Sequence, residues 1–286
     1  MYDTILVPTD GSAGAQRAVE AVAPLAKQSD ATVHLLHVVD LGALTPAIRE
    51  EFREEIAEHA SKLLEDIAAS VELPGVSIVA DMVESFDPIH QAILEYADDQ
   101  DVDLLAMGTR NPAGMEWLSL GSVTRRTIRA GSRPVLTIPP HARLTETPSS
   151  ILLPTDGSEG SLAAVSHAIE LCETHDASLQ VISVVDEDRA QVGVERGDLT
   201  TAMEAAGYQA VDEVLDRANE AGISTIQTSV KSGNPGEEIV TYANEHDVDL
   251  ITMGTHGRSG LDRLAIGSVA ERVFSITEVP VLAIKP

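Results

Sequence analysis

The chain repeats itself at a fixed distance, and that constrains its fold more than any other feature. Pro8-Thr9-Asp10-Gly11-Ser12 returns 146 residues later as Pro154-Thr155-Asp156-Gly157-Ser158. At the same offset Val38-Val39-Asp40 returns as Val184-Val185-Asp186, and Met107-Gly108-Thr109 as Met253-Gly254-Thr255. Gly121-Ser122-Val123 matches Gly267-Ser268-Val269, and Pro134-Val135-Leu136 matches Pro280-Val281-Leu282. Between these matches the register slips by one residue (Pro88 against Pro235) and recovers by Tyr96 against Tyr242, as compensating loop changes do. A unit of this size is a domain rather than a solenoid repeat. The expectation is a duplicated domain, residues 1–140 and 149–286, joined through the proline-rich stretch between them.

Each copy alternates strand and helix periodicity. In the first, residues 4–8, 32–39, 76–83, 102–107 and 134–138 read as strands. Residues 12–28, 47–70, 88–97 and 119–129 read as helices, with Ser12 as an N-cap and Pro88 in a first turn. Alternation of this kind means α/β units with a parallel sheet covered on both faces, five strands and four helices per domain.

Composition narrows the function. Lys and Arg total 19 against 46 Asp and Glu, a net charge of −27. The excess is spread evenly, with 11 basic and 23 acidic residues in 1–146 and 8 and 23 in 147–286. That argues against nucleic acid or an anionic membrane as partner. Only four basic residues are lysine, the pattern of a halophile's protein, a halophilic archaeon being the expected source; an ordinary acidic protein is the alternative. Aromatics are 3% of the chain, so the cores must be aliphatic. There is no apolar run of 18 residues and no signal-peptide pattern, so a cytoplasmic protein is expected. The single cysteine, Cys172, excludes a disulfide framework and reads as a core residue.

Chemistry concentrates in one loop of the second copy. Gly254-x2-Gly257-x9-Gly267-Ser268 follows a strand and opens a helix. Glycines let backbone N–H groups approach an anion, and a helix N-terminus adds unpaired donors and a positive dipole end. The residues alone also permit two plain glycine-rich turns. Neither a Walker A loop nor a dinucleotide fingerprint is present. His34 and His37 read as structural rather than as a metal pair. The acidic helix 49–66 reads as solvated, and no hydrolase elbow occurs.

These motifs together resemble the universal stress protein family in its tandem form, over nearly the whole chain. The resemblance implies two Rossmann-like five-stranded domains of strand order 3-2-1-4-5, with a ligand crevice between strands 1 and 4. It implies an ATP site in the second domain. Pro154, Thr155 and Asp156 would lie beside the nucleoside and Val184 would hold the adenine edge. Gly254, Gly257, Arg258, Gly267, Ser268 and Val269 would surround the phosphates and Met253 would belong to the same cofactor site, with Mg²⁺ carried by the phosphates and no protein metal ligands. Asp156 also reads as a turn residue and Val184 as a core residue. The first domain keeps Asp10, Val38, Gly108, Gly121 and Ser122. However, Asn111-Pro112 replaces the second loop glycine, and Phe86 stands where the second copy has Gly233. A weaker or vacant site is expected there.

Three functions follow as alternatives: a nucleotide-binding stress regulator, a ligand-free assembly or chaperone-like protein, or a slow ATPase or phosphotransferase using Asp156 or His256. The two domains are expected to pair as a pseudo-twofold dimer within the chain, with a homodimer of the whole chain beyond that.

Overall fold

The computed structural model describes residues 2–42, 44–70, 75–109, 120–143, 145–186, 196–256 and 265–286. They form two units, Met1–Pro140 and His141–Pro286.

Unit 1 runs β1 (Thr4–Pro8), α1 (Ala13–Ser29), β2 (Thr32–Asp40), α2 (Pro46–Glu51), α3 (Arg53–Ser70), β3 (Ser77–Ser85), α4 (Ile89–Asp99), β4 (Leu104–Gly108), α5 (Ser122–Ala130) and β5 (Val135–Ile138). Unit 2 runs β6 (Ser150–Pro154), α6 (Glu159–His175), β7 (Ser178–Asp186), α7 (Arg196–Glu220), β8 (Ile226–Gly233), α8 (Pro235–Glu245), β9 (Leu250–Gly254), α9 (Ser268–Ile276) and β10 (Val281–Ile284). Every pairing within a unit is parallel. The strand orders are β3-β2-β1-β4-β5 and β8-β7-β6-β9-β10, the expected 3-2-1-4-5 twice.

Aliphatic central strands make the cores. Ile5, Leu6 and Val7 of β1 and Ile151, Leu152 and Leu153 of β6 are fully buried. Each such side chain contributes roughly 1.5–3 kcal/mol over leaving it in water. β3 lies at a sheet edge and is largely exposed, so covering of both faces does not extend to it. Asp103 fixes the start of β1 by accepting from the N–H groups of Asp3 and Thr4, both at 2.9 Å. Asp249 does the same for Ser149 and Ser150 ahead of and in β6.

Caps explain the helix ends. Ser12 and Ser158 accept from the N–H groups of Ala15 and Ser161, as N-caps do. At the other ends, Asp30 and Asp176 take left-handed backbone with φ of 55° and 51°. Aspartate tolerates that region, so no glycine is needed to stop α1 or α6.

Two expectations need correction. The helix over 47–70 is two helices, because Phe52 departs to φ −111° between α2 and α3, which gives unit 1 five helices among the described residues. Backbone bonds from Phe52 N to Ile48 O and from Ile56 N to Phe52 O carry the chain through the irregularity. The last helix of unit 1 begins at Ser122 and not at residue 119; the stretch 110–119, with Asn111 and Pro112, is outside the described residues. Cys172 is buried as expected, and burial, then Glu173, push its thiol up to about 12, which leaves it unreactive. Among the described residues no helix is long and apolar enough to cross a membrane.

Candidate functional site

The order 3-2-1-4-5 makes the chain turn in opposite directions from β6 and β9, and a crevice opens at their carboxyl ends. In unit 2 that crevice is a cavity of about 180 Å³. Its floor is Pro154, Thr155 and Asp156 from the end of β6, with Met253 and Gly254 from the end of β9. Ile182 to Asp186 of β7 form one wall, and Met203 and Gly207 of α7 close over them. Gly267, Ser268, Val269 and Ala270 bring the start of α9 to the opposite side.

Backbone geometry supplies the polar groups. Along β7 the even residues hydrogen-bond toward β6: Ser178 N–H donates to Ser149 O, and Ile182 O accepts from Thr155 N–H. β6 ends at Pro154, paired with Ile182. The next even residue, Val184, therefore directs its N–H and C=O past the end of β6 and into the cavity. That places a donor and an acceptor side by side on one wall. Across from it, α9 begins with Gly267 as its N-cap and no side chain capping it, so the first N–H groups of the helix are left to whatever occupies the cavity. Ser268 is the first residue of the helix rather than its cap.

Side chains divide between scaffold and cavity. Asp156 Oδ1 accepts from the N–H of Ser158 at 3.0 Å and from its hydroxyl at 2.5 Å, so this carboxylate builds the turn into α6. The Thr155 and Ser161 hydroxyls are 3.2 Å apart and buried. His256 lines the cavity, its Nδ1 2.9 Å from the Thr255 hydroxyl. Its pKa lies below the ordinary value, chiefly through burial and then through Lys285, with the Ala265 backbone opposing them. The imidazole is thus held neutral near pH 7.

Gly254 lines the cavity and also answers to a second demand that its spacing does not show. A Cβ built there would meet the carbonyl carbon of Gly160 at 2.6 Å. The glycine lets the first turn of α6 lie directly on β9; Gly108 and Gly14 repeat the arrangement in unit 1.

Nine of the eleven residues expected at the second-domain site thus line one cavity. Gly257 and Arg258 are outside the described residues. Ser183, Met203, Gly207, Pro235 and Ile239 also line it and were not anticipated. Gly207 had a signal: a glycine inside a helical stretch costs about 1 kcal/mol relative to alanine unless packing requires it. Here a Cβ would press on Val230 and on the Ser183 hydroxyl, at 3.2 and 3.4 Å.

In unit 1, Val38 likewise lies beyond the end of β1, where Pro8 pairs with Leu36. Asp10 Oδ1 accepts from Ser12 N–H, and Gly121 is an uncapped N-cap with Ser122 first in α5. His37 stands at the place of Ser183, a ring nitrogen 2.8 Å from the Thr9 carbonyl oxygen. His34 contacts the Tyr96 hydroxyl at 2.9 Å, so both histidines have structural partners. Phe86 does not fill a buried crevice: it is 64% exposed, with the Arg49 guanidinium 4.7 Å above its ring. Among the described residues no group of three metal-capable side chains occurs.

Comparison with known proteins agrees with this architecture. The Universal stress protein family matches residues 1–139 and again 149–285. A universal stress protein of Methanocaldococcus jannaschii is 39% identical over 138 residues, 47% of this chain and 81% of that protein. One of Synechocystis is 25% identical over 303 aligned positions, 98% of this chain and 99% of that protein. The crystal structure of a universal stress protein from Archaeoglobus fulgidus superposes with a TM-score of 0.73 at 21% identity, covering 99% of this chain and 98% of that one. The chain belongs to the universal stress protein family, with two copies of the family's domain in tandem.

Proposed function

We propose that unit 2 binds ATP and that the chain acts as a stress-response regulator whose conformation or assembly depends on that nucleotide. One observation carries the reading: the donor–acceptor pair on Val184 and the uncapped start of α9 face one cavity from two sides. An adenine edge offers an acceptor and a donor side by side, which suits the backbone of one residue. Phosphate suits the first N–H groups of a helix. Met203 and Gly207, one helical turn apart on α7, supply apolar cover for a base.

These residues fit the nucleotide. Ser268 adds a hydroxyl donor beside the N–H groups of Ser268 and Val269, and Gly257 and Arg258 complete the set that the family resemblance assigns to the phosphates. Bound ATP would supply a transferable phosphoryl group and the charge to hold Mg²⁺. The ion would rest on phosphate and water, as the family resemblance implies. Asp156 is committed to the turn into α6, which favours binding over hydrolysis.

Unit 1 is proposed as the weaker site, on the Asn111-Pro112 replacement in its loop. Mass spectrometry of small molecules released from the purified chain tests the reading, followed by calorimetric titration with ATP. Recovery of an adenine nucleotide is expected. A chain that carries none and shows no binding heat with ATP would return the ligand-free alternative.

A further inference from the structure

Resting on the assignment of the unit 2 cavity to ATP, a second property follows from His256. This imidazole lines the cavity beside the start of α9: the Thr255 carbonyl accepts from Gly267 N–H at 2.8 Å, which brings residue 256 next to the helix N-cap. Its backbone is pinned on the other side, because Gly160 of α6 lies against the His256 carbonyl. The ring is anchored too, with Nδ1 at the Thr255 hydroxyl. Nε2 is shut off from solvent, and the Ala265 backbone beside the ring favours its protonated form.

Charged groups surround the cavity that this ring lines. Asp156 and Asp186 line it as well, Glu159 and Glu271 stand in the first turns of α6 and α9, and Lys285 follows β10. Lys285 is the one that acts on the imidazole, and it acts with burial to hold the ring neutral. A polyanion in the cavity reverses that balance, because phosphate charge favours the imidazolium and screens Lys285. We propose that His256 takes up a proton when ATP enters the unit 2 cavity, so that binding tightens as pH falls. The sign follows from linkage: the ligand favours the protonated ring, and protonation favours the ligand by the same factor.

Calorimetric titration of the full chain with ATP, between about pH 6 and pH 8, tests this in buffers of small and large ionisation enthalpy. The nucleotide's own phosphate also titrates there, so the informative quantity is the difference between the wild-type chain and His256→Gln. Wild type should take up more protons than the variant, and its affinity should rise by up to about tenfold more per pH unit across the window. Lys285→Gln gives an independent arm. With the lysine charge gone, the window of extra proton uptake should move to higher pH. Identical proton uptake and identical pH slopes in wild type and His256→Gln, with ATP still bound, would overturn the proposal and leave the ATP assignment standing. So would a window that Lys285→Gln leaves in place. Absence of ATP binding at every pH in all three chains would overturn the assignment and this proposal with it.

Discussion

Gly254 and Gly160 pack backbone against backbone: a Cβ on Gly254 would lie 2.6 Å from the Gly160 carbonyl carbon, and one on Gly160 would run into the His256 carbonyl. The contact joins the last residue of β9 to the first turn of α6, and so sets the width of the crevice. Gly254→Ala should destabilise the chain by about 1–3 kcal/mol, the range for forcing extra volume into a packed region. Gly108→Ala should cost a similar amount through Gly14. Denaturant midpoints with and without ATP check this. A glycine needed only for phosphate would leave the ligand-free midpoint unchanged.

Gly267 makes the contrasting case. Its φ of −62° is open to any residue, so the backbone does not demand glycine. Gly267→Val should lower stability by about 1 kcal/mol at most, the loss of a favourable N-cap. Its effect on ATP should be larger, with affinity falling at least about tenfold as a branched side chain enters the approach to the α9 N–H groups. Wild type should titrate with one strong site per chain. Two sites of matched affinity would contradict the weaker role assigned to unit 1.

Ser158 caps α6 and donates to Asp156. Ser158→Ala should cost about 1 kcal/mol through the lost cap. Ser12→Ala in α1 should cost about the same, since Ser12 caps by the same bond. Thermal melts of the two variants provide the comparison. An ATP affinity that drops in Ser158→Ala as well would show that the turn holding Asp156 also shapes the cavity.

Acid should destabilise unit 1 through His34. Burial lowers its pKa despite the opposing pull of Asp81. The folded state then binds fewer protons than the unfolded one, so this contribution is present above the ordinary value near 6.5 and is lost as pH falls below it. In unit 2 the matching position is Gln180, as the pairings of Leu6 with His34 and Leu152 with Gln180 show. His34→Gln should flatten part of the fall in stability between about pH 7 and pH 5. It should lower stability at neutral pH by less than about 1 kcal/mol, because the Tyr96 hydroxyl loses His34 but keeps Asp81. Melts across pH would show an unchanged slope if His34 titrated normally.

Salt should stabilise the whole chain. A net charge of −27 is strong self-repulsion, and the Debye length falls from about 10 Å at 0.1 M to about 3 Å at 1 M. The thermal midpoint should climb with KCl from 0.1 M into the molar range. A flat or falling midpoint would argue that the acidic surface is not an adaptation to salt.

Much of this protein was legible in its sequence, for a local reason. Strand and helix periodicity, the serine caps at Ser12 and Ser158 and the duplicated motifs depend on neighbours along the chain. The alternation of strand and helix then leaves few parallel arrangements. Helix ends at Asp30 and Asp176 were harder to read, since they use left-handed aspartate where glycine is the usual sign. Tertiary structure alone decided what Gly254 is for. Its spacing suggests phosphate; what also excludes a side chain there is Gly160, 94 residues away in sequence and on another element. The same holds for Val184, whose backbone turns to the cavity because β6 stops opposite Ile182, and for Gly207, which matters through Ser183 and Val230. Periodicity shows which face of an element is buried. What it meets there is set only when distant segments come together.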